Sequence, residues 1–129
     1  MYTFEQASNL NNSLVLHPTG IVARFVTGSC LIGPGNDMDI VAYLPHINTK
    51  YLHEVYDLVP SNPEEYGDIA DAGWRSFKNS TGLNLIACTD TETFDKWGMA
   101  TDILEALNNL GIYLPKAART TLFNIVKGE

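Results

Sequence analysis

The chain is short of positive charge. Eight Lys and Arg stand against fifteen Asp and Glu, a formal charge of -7. Non-specific binding to nucleic acid needs basic residues to neutralise phosphates, so an extended nucleic acid is not the expected partner. Cysteine is also scarce, with only Cys30 and Cys88. Two isolated thiols supply no zinc set and, with nothing pointing to secretion, are expected to be reduced. No apolar run approaches the ~20 residues of a membrane span. Met1 to Asn11 lack the basic start and apolar stretch of a signal peptide. The expected location is therefore the cytoplasm, with no membrane partner. Repeats and low-complexity tracts are missing too. What remains is 129 residues, 45% of them hydrophobic, enough to bury one core. One domain over 1–129 is the expectation.

Periodicity and turn residues divide the chain. Thr3 and Gln6 form a capping-box pattern ahead of Phe4, Ala7 and Leu10. His17-Pro18 ends that segment at the latest. Val22 to Thr27 is β-branched and aromatic and predicts a strand. Leu31 to Asn36 is broken by Gly33-Pro34-Gly35 and predicts a loop. Asp37 to Leu44 predicts a second, central strand that Pro45 stops. Asn48 to Leu58 carries Tyr51, Leu52, Val55 and Leu58 at helical spacing. Two strands, Trp74 to Lys78 and Leu83 to Cys88, are joined through Asn79-Ser80-Thr81-Gly82, a hairpin signal. Thr89 and Glu92 read as a capping box before a long helix with its stripe on Phe94, Trp97, Ala100, Leu104 and Leu107, closed by Gly111. Pro115 opens a last helix, with Leu114, Ala118, Leu122 and Ile125 toward the core. The order α-β-β-α-β-β-α-α predicts an α/β (α+β) fold, a small mixed sheet covered by helices.

Chemistry concentrates in Val26 to Tyr43. On a strand, Asp37 and Asp39 project from one face, because side chains alternate. Adjacent carboxylates repel unless a cation lies between them. Mg²⁺ suits such a pair, since it takes one or two carboxylates and completes its shell with water and phosphates. Two ions could clamp a phosphoryl displacement. The plain alternative is an Asx turn at a strand start. Gly28-Ser29 sits at the end of the preceding strand, where glycine allows close approach and a hydroxyl can donate to phosphate. Its plain alternative is a tight turn.

Together, "TGS" and "DMDI", with "LNLIACTDTETFDKW" downstream, resemble the signature of the DNA polymerase beta-like nucleotidyltransferase superfamily. The chain looks most like its small, single-domain bacteriophage members over roughly residues 22 to 90. The resemblance implies a nucleotidyltransferase-like fold and transfer of a nucleoside monophosphate from NTP to a hydroxyl acceptor. It implies that Gly28 and Ser29 hold the triphosphate and that Asp37 and Asp39 bind Mg²⁺. A phage-encoded chain would work in the host cytoplasm. The family's third carboxylate falls here on Asn84. Asparagine can ligate through its oxygen but is neutral and cannot act as a base. Asp90 could replace it only if the strand ended early. No Lys or Arg lies between Ser29 and Asn36 to meet a γ-phosphate.

Two functions follow. One is the metal-dependent transferase, with a protein, small-molecule or RNA-end acceptor. The other is a catalytically impaired binding protein of the same fold. It would take a nucleotide, or a host protein against the acidic run Glu64, Glu65, Asp68 and Asp71, which otherwise reads as a solvated loop. The orientation of Asn84 discriminates them. Lesser candidates are His46 near the Asp strand's far end, Arg75 and Lys78 as phosphate contacts, and Trp74 as a stacking platform. Cys30, His53, Lys116 and Arg119 read as structural or surface residues.

Overall fold

Strand β5 (Leu83–Cys88) is buried along its whole length, as a run with no charged residue requires, and the sheet is built around it. The computed structural model describes residues 1–16, 22–31, 35–61 and 73–127, and of Ser29 and Lys127 the backbone alone. The other elements are helix α1 (Phe4–Ser13), strand β1 (Arg24–Thr27), a 3₁₀ turn (Gly28–Leu31), β2 (Met38–Tyr43), α2 (Thr49–Tyr56), β3 (Val59–Pro60), β4 (Trp74–Lys78), α3 (Thr91–Asn109) and α4 (Lys116–Lys127). The sheet order is β1-β2-β5-β4-β3, with β2 and β5 parallel and every other neighbour antiparallel. The fold is mixed α/β (α+β), as the element order predicts.

Helices cover both faces. Ile40, Ala42, Phe77, Leu85 and Ala87 face Ala7 of α1 and Leu52 of α2. Val41, Trp74, Ile86 and Cys88 face Trp97 of α3, with Phe123 of α4 packed against them. Neighbouring β2 residues thus feed two cores, which is why this strand reads as apolar apart from Asp39. Burying a side chain the size of Ile40 contributes about 1.5–3 kcal/mol. Trp74 and Trp97 meet edge to face at 5.6 Å, and Phe123 stacks at 4.6 Å on Trp97.

Local signals act largely where the sequence puts them. Thr3 and Gln6 form the capping box of α1. Asn48 caps α2 through its side chain. Asn79 Oδ1 accepts from the Thr81 and Leu83 amides in the β4–β5 turn. At the end of α3 the Ile112 amide reaches the Leu107 carbonyl and the Gly111 amide that of Asn108. Gly111 stands at φ +81°, the left-handed geometry such a C-cap needs.

Four expectations change. The cap of α3 is Asp90, whose carboxylate accepts from the Thr93 amide at 2.7 Å, not Thr89 with Glu92. Asp competes well for this position because its oxygen meets an unpaired amide and its charge faces the helix dipole. Strand β2 starts at Met38, and Asp37 lies in the bend before it. Two-residue β3, too short for a periodicity, adds an edge to β4. On α4 it is Phe123 that packs inward, while Ile125 is 67% exposed. His17, Gly33, Pro34 and the acidic run from Glu64 to Asp71 lie outside the described residues.

Candidate functional site

The register of four strands builds the site. Thr27 of β1 lies opposite Asp39 of β2, Asp39 beside Asn84 of β5, and Asn84 opposite Lys78 of β4. Residues in register on neighbouring strands project from the same face. Four polar side chains therefore form one row across the sheet, on the face that α3 and α4 cover. Apolar Val41 and Ile86 continue that face toward Trp97.

Inside the row the bonding is specific. Asn84 donates from Nδ2 to Asp39 Oδ1 at 2.7 Å. Its Oδ1 accepts from the Ser76 hydroxyl at 3.2 Å. Ser76 Oγ also lies 2.8 Å from Ser61 Oγ. A hydroxyl has one proton, so if Ser76 gives it to Asn84, Ser61 must donate to Ser76. Ser61, Ser76 and Asn84 are all buried. This chain orients the Asn84 amide with its N–H toward Asp39 and its oxygen away. At the other end Thr27 Oγ1 shares a 2.7 Å hydrogen bond with Thr101 Oγ1 of α3, which donates to the Trp97 carbonyl.

Gly28 follows Thr27 and opens the 3₁₀ turn at φ +76°. A Cβ on Gly28 would collide with Asp39 Oδ2. Both the left-handed backbone and the close carboxylate thus require glycine here. Ser29 is the next residue of the same turn. Gly28, Ser29, Asp39 and Asn84 are therefore gathered at one end of the sheet.

Burial pushes the Asp39 carboxyl above its ordinary range. The Asn84 hydrogen bond opposes this, the charge of nearby Asp37 adds to it, and Lys78 and Arg119 work against it. The charges of Asp37, Lys78 and Arg119 are thus all felt at this carboxylate, and the strand register sets Lys78 in the same row. Arg119 is steadied by donating from Nη1 to the Leu114 carbonyl at 2.9 Å. Cys30 is 1% exposed and lies 3.2 Å from the Asp37 carbonyl. Burial and the two aspartates push its thiol up, which suits a structural thiol rather than a nucleophile.

The remaining candidates fall elsewhere. His46, Arg75 and Thr89 line a small hollow at the opposite end of the sheet. Asp90 is there as well, capping α3, and cannot stand in for a third carboxylate beside Asp39. Trp74 is 3% exposed and its ring is covered by Trp97, so it offers no platform for a base. His53 is exposed on α2. Sequence reasoning overlooked Thr27, Ser61 and Ser76. Period two along Trp74-Arg75-Ser76-Phe77-Lys78 did place Ser76 and Lys78 on one face. Nothing local indicated that the charge of Arg119, thirty-five residues after Asn84, is felt at Asp39.

No protein-family profile, curated protein or solved structure matches the chain. Among the described residues, no group of three or more His, Cys, Asp or Glu is placed to hold a metal. The donors fit a single ion better than two. Asp37 and Asp39 are neighbouring carboxylates, one with its charge disfavoured by burial, which a divalent cation would relieve. The corner at Asn84 presents N–H toward Asp39, so a second ion there would meet a donor instead of an oxygen.

Proposed function

We propose that this chain is a nucleotidyltransferase-like protein that binds a metal-nucleoside triphosphate and is impaired in the transfer step. The observation that carries the reading is the hydrogen bond from Asn84 Nδ2 to Asp39 Oδ1. A carboxylate at that position would bind a second cation and take the proton of an attacking hydroxyl. A neutral amide donor does neither, and losing such a base costs about 10²–10⁴ in rate. Gly28 and Ser29 hold the phosphates, and Asp37 and Asp39 hold Mg²⁺. Lys78 and Arg119 place positive charge beside the carboxylates, where a triphosphate brings its own negative charge. The metal's contribution when bound is to neutralise phosphate oxygens.

The register that puts Lys78 in the row with Asp39, with the charge of Arg119 also felt there, favours a second reading. In it the chain slowly transfers a nucleoside monophosphate to a hydroxyl acceptor, and the two cations stabilise the departing pyrophosphate.

Calorimetric titration with each Mg²⁺-NTP tests the first reading. Wild type should bind at least one nucleotide, and Asp37→Asn and Asp39→Asn should each weaken binding about tenfold or more. No binding by wild type sinks both readings. Binding with no transfer of α-label to a host extract supports the impaired protein, and transfer by wild type supports the slow enzyme.

A further inference from the structure

A second feature lies along the outer edge of β1. Strand β1 is terminal in the sheet order, pairing with β2 and, among the described residues, with no strand on its other side. The Tyr43 amide donates to the Ala23 carbonyl. Antiparallel alternation then puts Phe25 and Thr27 in hydrogen-bonded pairs with β2 and turns the backbone N–H and C=O of Arg24 and Val26 outward. Exposed sheet edges are normally blunted by lysine, proline or a bulge. None of these interrupts Arg24–Thr27.

Instead the edge lies at the bottom of a groove of about 620 Å³ between α1 and α3. Phe4 stands on the α1 wall, and Phe94 and Met99 on the α3 wall. Phe4 and Met99 are half exposed, at 49% and 56%. Asp95, Asp102 and Glu105 also line the α3 wall, against the single cation Arg24. Arg24 turns its Nε to the Asn11 carbonyl. The three carboxylates span roughly 15 Å of helix, the reach of about four or five residues of extended chain. Gly98 lies between them on the same wall. A Cβ there would meet only the Phe25 ring, at an ordinary 3.8 Å. Packing does not require glycine at 98, and glycine weakens a helix interior. Its effect is to leave the groove wide above β1.

We propose that this groove docks an extended peptide of a partner protein, with alternating basic and apolar residues, which adds to the sheet as a strand beside β1. The backbone groups of Arg24 and Val26 supply the ladder. Successive side chains of an added strand face opposite walls, so its Lys or Arg meet Asp95, Asp102 and Glu105 on α3 and its apolar residues meet Phe4 on α1. The docking site adjoins the polar row at Thr101, which bonds Thr27, and does not depend on nucleotide binding.

Two fluorescein-labelled hexapeptides test it by fluorescence anisotropy, one alternating Lys and Val and one alternating Glu and Val. The Lys peptide should bind the whole chain. Binding should weaken about tenfold in Asp95→Lys and in Asp102→Lys, and again from low to high salt. Gly98→Leu should weaken it without changing the salt response, since it fills the groove and leaves the charge. Amide exchange at Arg24 and Val26 should slow when the Lys peptide is bound. Circular dichroism checks that each variant is folded, and the wild-type exchange measurement stands whether or not one fails. The proposal is overturned by absence of binding up to about 1 mM, or by equal binding of the Glu peptide. Binding that leaves exchange at Arg24 and Val26 unchanged also overturns it, as does wild-type dimerisation that Asp102→Lys abolishes, since the occupant is then a second copy.

Discussion

At the scale of single residues, Asn84 decides the chemistry of the polar row. Asn84→Asp would put a second carboxylate against Asp39 in a buried setting. Without metal the two repel, so the variant should melt lower than wild type. With Mg²⁺ and NTP it should gain transfer activity, by about 10²-fold if the position acts as a base. Release of pyrophosphate and thermal melts with and without Mg²⁺ check both halves. Asp39→Asn should act in the opposite sense on stability. Burial holds the Asp39 carboxyl above its unfolded value, so the fold favours its protonated form. Stability in wild type is therefore lost as pH rises from the unfolded value near 4 through the raised folded value. The variant should melt above wild type at neutral pH, and the gap should close toward pH ~4. A constant gap across that range would show that the carboxylate's charge is not the cause. Gly28→Ala forces a methyl toward Asp39 Oδ2 on a left-handed backbone. It should cost more than the ~1 kcal/mol of an unstrained glycine substitution, measured as a lower urea midpoint.

At the scale of elements, helix termini carry the testable detail. Asp90→Ala removes the oxygen that holds the Thr93 amide and should cost about 1 kcal/mol. Glu92→Ala loses only an exposed pair with Lys96 and should stay within about 0.5 kcal/mol. Denaturant unfolding of the two variants separates the Asp90 cap from a Thr89–Glu92 box. Among the described side chains of helix α4, none is fully buried. Phe123 packs it on Trp97 of α3, and much of its surface, including Ile125, faces outward. Because Arg119 rides on this helix, Phe123→Ala should disturb the charge beside Asp39 as well as the packing. Large aromatic truncations cost about 3–5 kcal/mol in a full core. The half-buried site of Phe123 should give less, with faster amide exchange confined to α4.

At the scale of the whole molecule, much was readable in the order of residues. Alternation and β-branching located β1, β2, β4 and β5, because a strand's faces repeat every second residue. Helical spacing located α1, α2 and α3, and Asn79 and Gly111 marked their turns by the backbone geometry each permits. Glycine at 28 and aspartate at 39 stood out for the same kind of local reason. Local chemistry was less decisive where two residues competed for one role. Thr89 with Glu92 and Asp90 both make plausible caps, and only the helix's actual first turn selects Asp90. The face that α4 turns inward was also ambiguous, since Phe123 and Ile125 are both apolar and α4 has few fully committed contacts.

What needed the folded chain was every relation across the sheet. Spacing cannot reveal that β2 and β5 run parallel with Asp39 beside Asn84, because strand pairing is non-local and a shift of one residue would reverse every face. The same pairing sends Asp90 and His46 to the far end and brings Lys78 to the near one. It also decides which way the Asn84 amide points, since Ser76 on the neighbouring strand holds its oxygen and Ser61 at the edge bonds Ser76. Sequence order specified the residues and their local conformations through short-range sterics and hydrogen bonding. The tertiary structure assigned their neighbours, and in this protein the neighbours of Asp39 determine what the site can do.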